Sequence, residues 1–250
     1  MTTPGLLLAF TEPGPGVPEA EFNDWADTEH VPLRLSIPGF QSWTRYKAAD
    51  NKSPSWAALY DLDSLSTLNT PPYTSLASTR SEREKRVLHD VEVVERRVYE
   101  AAGNDKLPAP SALYDPARPA RYVYFSSVDI DPSDEAEFER WYAEVHGPVV
   151  SSLAGWVRTR RFVLKEWSRG GVKSQGQGSG KGSGSGSGDE DETPVRRFLA
   201  VHEYTHREGV EAEETREKFE TEWTKKVMGE MFRGLEVRLF EFYKKWDRDG

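Results

Sequence analysis

"FNDWADTEH" (Phe22–His30) and "FERWYAEVH" (Phe138–His146) place Phe, Trp and His at the same offsets, 116 residues apart. An internal repeat constrains a chain more than its composition does, because both copies must find one fold. The correspondence continues at the same offset, with "GLLLAF" (Gly5–Phe10) against "RYVYFS" (Arg121–Ser126). "PGF" (Pro38–Phe40) then faces "AGW" (Ala154–Trp156), and "WTRY" (Trp43–Tyr46) faces "TRRF" (Thr159–Phe162). Beyond that point the offset becomes 142, where "WAALYDL" (Trp56–Leu62) matches "FLAVHEY" (Phe198–Tyr204). "VEVVERRVY" (Val91–Tyr99) closes the first copy and "LEVRLFEFY" (Leu235–Tyr243) the second.

The first segment of each copy is apolar on both faces, as a strand covered on both sides requires. Pro18 stands where a helix can begin, and the Phe/Trp/His spacing after it is helical rather than alternating. "QSWTRYK" and "SWAALYDL" are short and aromatic-rich, and the turn-like "AADNKSPS" separates them. "TRSEREKRVLHD" and "ETREKFETEWTKKVMGEMF" read as amphipathic second helices. Each copy is therefore expected to be β-α-β-β-α-β, the ferredoxin-like unit of an α+β protein. Residues 1–100 form the first unit, 101–120 a Pro-rich connector, and 121–250 the second unit. The 26-residue change of offset marks an insertion, the Gly/Ser-rich stretch 170–194, expected to be a disordered hairpin loop. Each unit leaves one sheet face bare of helices. Two such faces packed sheet to sheet would give a pseudo-twofold α/β barrel in one chain, as a monomer or a homodimer.

Composition excludes several functions. There is no Cys, so neither disulfides nor thiolate chemistry is available. The 42 acidic residues against 33 basic leave a net charge of −9, which repels a phosphate backbone and argues against nucleic acid. No apolar run reaches the roughly 18 residues of a membrane span. "MTTPGLLLAF" lacks the basic region of a secretory leader and reads as a first strand, so a cytoplasmic protein is expected.

The stretch from Phe22 to Ser64 resembles the EthD-like family of the dimeric α/β-barrel superfamily. Trp25, the Glu29–His30–Val31–Pro32 step, "IPGF" and "LYDLDS" carry the resemblance. The second copy follows it more loosely, with Val145 in place of Glu29. What the resemblance implies is one unit per chain in most members, paired as dimers, so that a tandem chain replaces the dimer. It also implies chemistry on small metabolites: cyclisation, dehydration, decarboxylation, isomerisation and cofactor-independent oxygenation, with haem in some distant members.

On a helix advancing about 100° per residue, Glu29 falls ~20° from Phe22, within the apolar stripe, and His30 falls at its edge. A carboxylate so placed would be desolvated toward the range of a general acid or base. His30 and Glu29 are thus the expected proton-moving pair, with Tyr46 and Tyr60 placed to polarise a carbonyl or phenol. Trp25 and Phe22 form the pocket wall, Arg34 holds a carboxylate, and His146 and His202 are secondary contacts. "HEYTH" lies on a strand, which puts His202 and His206 about 13 Å apart at ~3.3 Å per residue, so no zinc site is expected. The expected function is a tailoring enzyme that needs no cofactor or metal. It acts by proton transfer on a small apolar, aromatic or polyketide-like metabolite, through decarboxylation, dehydration, cyclisation or isomerisation. The alternatives are a cofactor-free monooxygenase of phenols, and a non-catalytic small-molecule-binding or haem-binding barrel with His30, His146 or His202 as axial ligand.

Overall fold

The computed structural model describes residues 2–173, 179–181, 195–211 and 217–248, with the backbone alone at 179–181 and 210–211. In chain order its main elements are β1 (Gly5–Glu12), α1 (Glu19–Trp25), β2 (Trp43–Ala48), β3 (Trp56–Leu62), α2 (Glu82–Asp90) and β4 (Val93–Ala101). Then come β5 (Tyr122–Ile130), α3 (Glu135–Trp141), β6 (Trp156–Gly170), β7 (Ser179–Lys181), β8 (Phe198–Tyr204), α4 (Glu222–Lys226) and β9 (Phe232–Trp246). The protein is α+β, and both repeats have the ferredoxin-like order.

Two compact units divide the chain, and neither is contiguous in sequence. The first is Met1–Glu100 with Leu164–Val195 and Tyr243–Gly250, and the second is Ala101–Val163 with Arg196–Phe242. The sequence boundaries 1–100 and 121–250 differ from this because β6 and β9 are 15 residues long, against 6 for β2 and 9 for β4. The surplus residues belong to the first unit. There, Arg169 Nε donates to Glu95 at 2.7 Å and Lys165 lies 2.7 Å from Glu100, both carboxylates on β4. The expected Gly/Ser loop lies mostly outside the described residues, at 174–178 and 182–194. Within it, Ser179–Lys181 is a strand paired antiparallel with Glu166–Ser168 of β6.

In the first unit the four strands of the repeat are antiparallel in the order β4-β1-β3-β2. β1 is central, so Leu6 and Leu8 are fully buried. In the second unit the order is β9-β5-β8-β6, again antiparallel, and β8 is buried along its whole length. Gly39 and Gly155, the repeated glycines of "PGF" and "AGW", adopt φ of 94° and 72°, a region closed to most side chains. Their carbonyls accept from Asp63 N and Thr205 N, both at 2.9 Å, which ties each helix exit to the end of the third strand of its own unit.

The first helices depart from ideal geometry in the same way. α1 and α3 both open into a π turn, Ala26–His30 and Tyr142–His146, each ending on the repeated His. Val31 N donates to Ala26 O, five residues back, at 3.0 Å. Pro32 and Pro148 follow two residues after each His. A proline ring clashes with the carbonyl four residues earlier, and the wider turn relieves that clash.

Candidate active site

In the first unit, Arg45 of β2 reaches α1 from below. It is 3% exposed, donates to Asp27 Oδ1 at 2.7 Å and Asn23 Oδ1 at 2.8 Å, and lies 4.5 Å from the Trp56 ring and 5.0 Å from Phe22. Arg161 repeats this in the second unit. It holds Glu139 with two hydrogen bonds of 2.7 Å and lies over Phe138 and Tyr142. Sequence reading passed over this pair, although its 116-residue spacing marks it as clearly as the His pair. Phe22 and Trp25, both 3% exposed, pack with Trp56, Val87 and Val91 in a hydrophobic core cluster.

His30 is positioned by three groups. Trp25 lies against its ring, with centroids 4.5 Å apart, and Arg34 Nη1 donates to its carbonyl oxygen. Its Nδ1 is 2.8 Å from Glu84 Oε1 of α2. The His30 side chain is 21% exposed and that of Glu84 4%, so the imidazole is reachable and the carboxylate is not. An ionised carboxylate only accepts, which puts the proton on Nδ1 and leaves the Nε2 lone pair free. Burial, joined by the charge of Arg34, pushes the His30 pKa down to about 4, against the upward pull of Glu84. Burial alone would raise Glu84; the His30 bond and nearby Arg charges outweigh it, and the carboxyl ends below its usual range. A neutral base held by a buried carboxylate is the result.

Glu84 was not among the expected residues. "SERE" (Ser81–Glu84) has the S-x-x-E spacing of a capping box, and Ser81 does cap α2, accepting from Glu84 N at 3.0 Å. The Glu84 side chain turns to His30 instead of back to the cap. Glu29, expected on the buried stripe, is half-buried and accepts from Ser81 Oγ. The π turn adds a residue to the rotation and carries Glu29 off the stripe, so it faces α2 rather than a pocket.

Tyr60 sits on the helix face of β3, 3% exposed, with its ring edge-on to Phe40 at 6.0 Å. Burial raises its pKa while the charges of Arg34 and Arg45 lower it. Those two guanidinium groups thus act on both Tyr60 and His30. Tyr46 is buried but is not brought to this group. It neighbours Arg45, which points to α1, so the pleat sends Tyr46 through the opposite face of the sheet.

His146 and His202 fall together in the second unit, with ring centroids 6.0 Å apart. His202 Nδ1 is 3.0 Å from Thr159 Oγ1, which also accepts from Trp156 Nε1 at 3.0 Å. His146 lies against Trp141 and Tyr142, both at 4.7 Å, and Phe219 at 5.2 Å. Of His30, His146 and His202, His30 has a carboxylate at one ring nitrogen among the described residues, the outer partner that a metal-bound imidazole uses. Among the described residues no three His, Asp or Glu side chains form a metal-binding cluster.

No protein-family model matches the chain, and no curated protein does. Solved structures do. An anthrone oxidase-like protein matches 100% of this chain and 95% of its own, at 12% identity and a TM-score of 0.61. A protein from Lactobacillus acidophilus described as a monooxygenase matches over 98% and 97%, at 9% identity and 0.55. A mutant chlorite dismutase from Candidatus Nitrospira defluvii matches over 98% and 93%, again at 9% and 0.55. At such identities the likeness is one of fold alone. No helix of the described residues is long and apolar enough to cross a membrane.

Proposed function

We propose that the chain is a cofactor-independent enzyme of the EthD-like kind that takes a proton from a small, apolar, phenol-like metabolite. One observation carries the reading: the 2.8 Å contact between His30 Nδ1 and the buried Glu84 carboxylate. In this account His30 Nε2 accepts the substrate proton. The imidazolium so formed keeps its Nδ1–H on Glu84, whose negative charge stabilises it. Arg34 and Tyr60 provide positive charge and a hydroxyl for the developing oxyanion, and Trp25 provides an apolar wall. The resulting anion can expel hydroxide, which leaves as water on taking the proton back from His30; a carboxylated substrate can instead lose carbon dioxide and take that proton on carbon; or the anion can give electrons to dioxygen. The second fate draws support from the anthrone oxidase-like and monooxygenase neighbours.

The test is turnover of a panel of phenols and hydroxyanthrones by the full chain, under air and under nitrogen. His30→Ala should lower kcat/KM by at least about 10²-fold, the usual contribution of a positioned base. Equal losses from His30→Ala and His146→Ala would overturn the assignment to the first unit. Turnover that persists under nitrogen selects the lyase or isomerase course, and turnover lost under nitrogen selects oxygenation.

The same His30–Glu84 contact favours a second reading, in which His30 would hold haem. Haem would there supply redox chemistry, with Glu84 setting the electron density on the imidazole. A Soret band that appears on adding haem and vanishes in His30→Ala would support it. A protein that takes up no haem would remove it.

A further inference from the structure

Most buried polar atoms without a hydrogen-bond partner among the described residues are indole N–H groups scattered over both units. Tyr142 Oη and His146 Nδ1 are different. They lie four residues apart on one π turn, with ring centroids 4.7 Å apart, and neither has a partner. Tyr142 is 4% exposed, so water does not reach its hydroxyl from the surface. Leaving a buried polar atom unbonded costs about 1–3 kcal/mol, and two adjacent ones of different type call for a common partner.

More groups converge on them. Tyr124 and His202 stand opposite each other on β5 and β8, with ring centroids 6.1 Å apart. Trp156 Nε1 donates to Thr159 Oγ1, which in turn lies 3.0 Å from His202 Nδ1. We infer that the helix face of the second unit is a ligand site of its own. It is built on Tyr142, His146, His202 and Tyr124, and it takes a neutral, hydrogen-bonding aromatic molecule such as a naphthol.

Charge decides the ligand class. Burial holds both imidazoles uncharged, with His202 pushed down to about 3 and His146 well below its ordinary value. Burial also keeps Tyr124, Tyr142 and Tyr204 as neutral phenols. Arg161, the one cation that acts on these groups, is already held by two bonds to Glu139. An anion would lose its hydration here with no charge to compensate it. A phenolic hydroxyl can donate to one of the open atoms and accept from the other, beside the Trp141 and Phe219 rings that lie against His146.

The experiment titrates the full chain with 2-naphthol and reads the imidazole nitrogen signals of His146 and His202 by NMR, with 2-naphthoate and naphthalene as controls. Naphthol should move both signals saturably, and the two controls should bind at least tenfold more weakly. Tyr142→Phe keeps the ring and should weaken naphthol at least tenfold. Signals unmoved at saturating naphthol would overturn the site, as would an unchanged affinity in Tyr142→Phe. If naphthol moves only the His30 signals, this site fails while the first-unit reading stands.

Discussion

His30 and Glu84 show how two side chains with ordinary propensities become a chemical pair. Neither is unusual alone: one ends a helix, the other sits three residues past a serine cap. Their bond sets the tautomer and leaves one nitrogen open. Glu84→Gln would keep the shape but remove the charge that raises His30, so the imidazole should become a weaker base. The acid limb of kcat/KM should then move to lower pH and the rate fall by about tenfold or more. An unmoved limb would separate Glu84 from the base. The histidines with depressed pKa values also govern stability. Their folded pKa values lie below the unfolded value of 6.5, at about 4 for His30 and about 3 for His202. The unfolded chain therefore binds more protons in that window, and stability is lost as pH falls from 6.5 toward 4, by up to about 1.4 kcal/mol per pH unit per group. Glu84, depressed when folded, acts in the same direction. Urea midpoints measured from pH 7 to 5 should fall steadily, and a flat profile would contradict neutral buried imidazoles.

At the scale of elements, the π turn is the decisive local feature. Its cause is legible in the two His-x-Pro steps, yet a uniform helical wheel cannot represent it. That is why Glu29 was expected on the apolar stripe and is found bonded to Ser81, while His30 stays at the reachable edge. Ser81 serves two elements at once, capping α2 and donating to Glu29. Ser81→Ala should cost about 1 kcal/mol, as the loss of a cap does. Ser81→Asp restores a cap acceptor but sets a carboxylate against Glu29, so it should recover little of that stability. Full recovery in a urea titration would show the Glu29 contact to be unimportant. The second-unit cluster was only half legible: Tyr60 and His202 match along the strands, but the unbonded Tyr142 hydroxyl follows from a fold in which α3 covers that strand face.

At the scale of the whole molecule, the chain's last residues return to the first unit. Arg248 donates to the carbonyls of Leu35, Ile37 and Phe40 at 3.0, 3.0 and 3.1 Å, and Lys244 lies 3.0 Å from Asp27, the partner of Arg45. A chain ending at residue 242 should lose amide-exchange protection across residues 31–46, around the His30 turn. Unchanged protection there would make the tail dispensable. The internal repeat alone determined the α+β class, the two ferredoxin-like units and the doubled His, because hydrophobic spacing and turn residues act locally and are written in order along the chain. Only the tertiary structure decided that Glu84 rather than Glu29 partners His30, that Tyr46 points away, and that the ends of β6 and β9 complete the first unit. Those outcomes depend on which faces meet across 50 or more residues, and burial rather than residue type sets the proton affinities there.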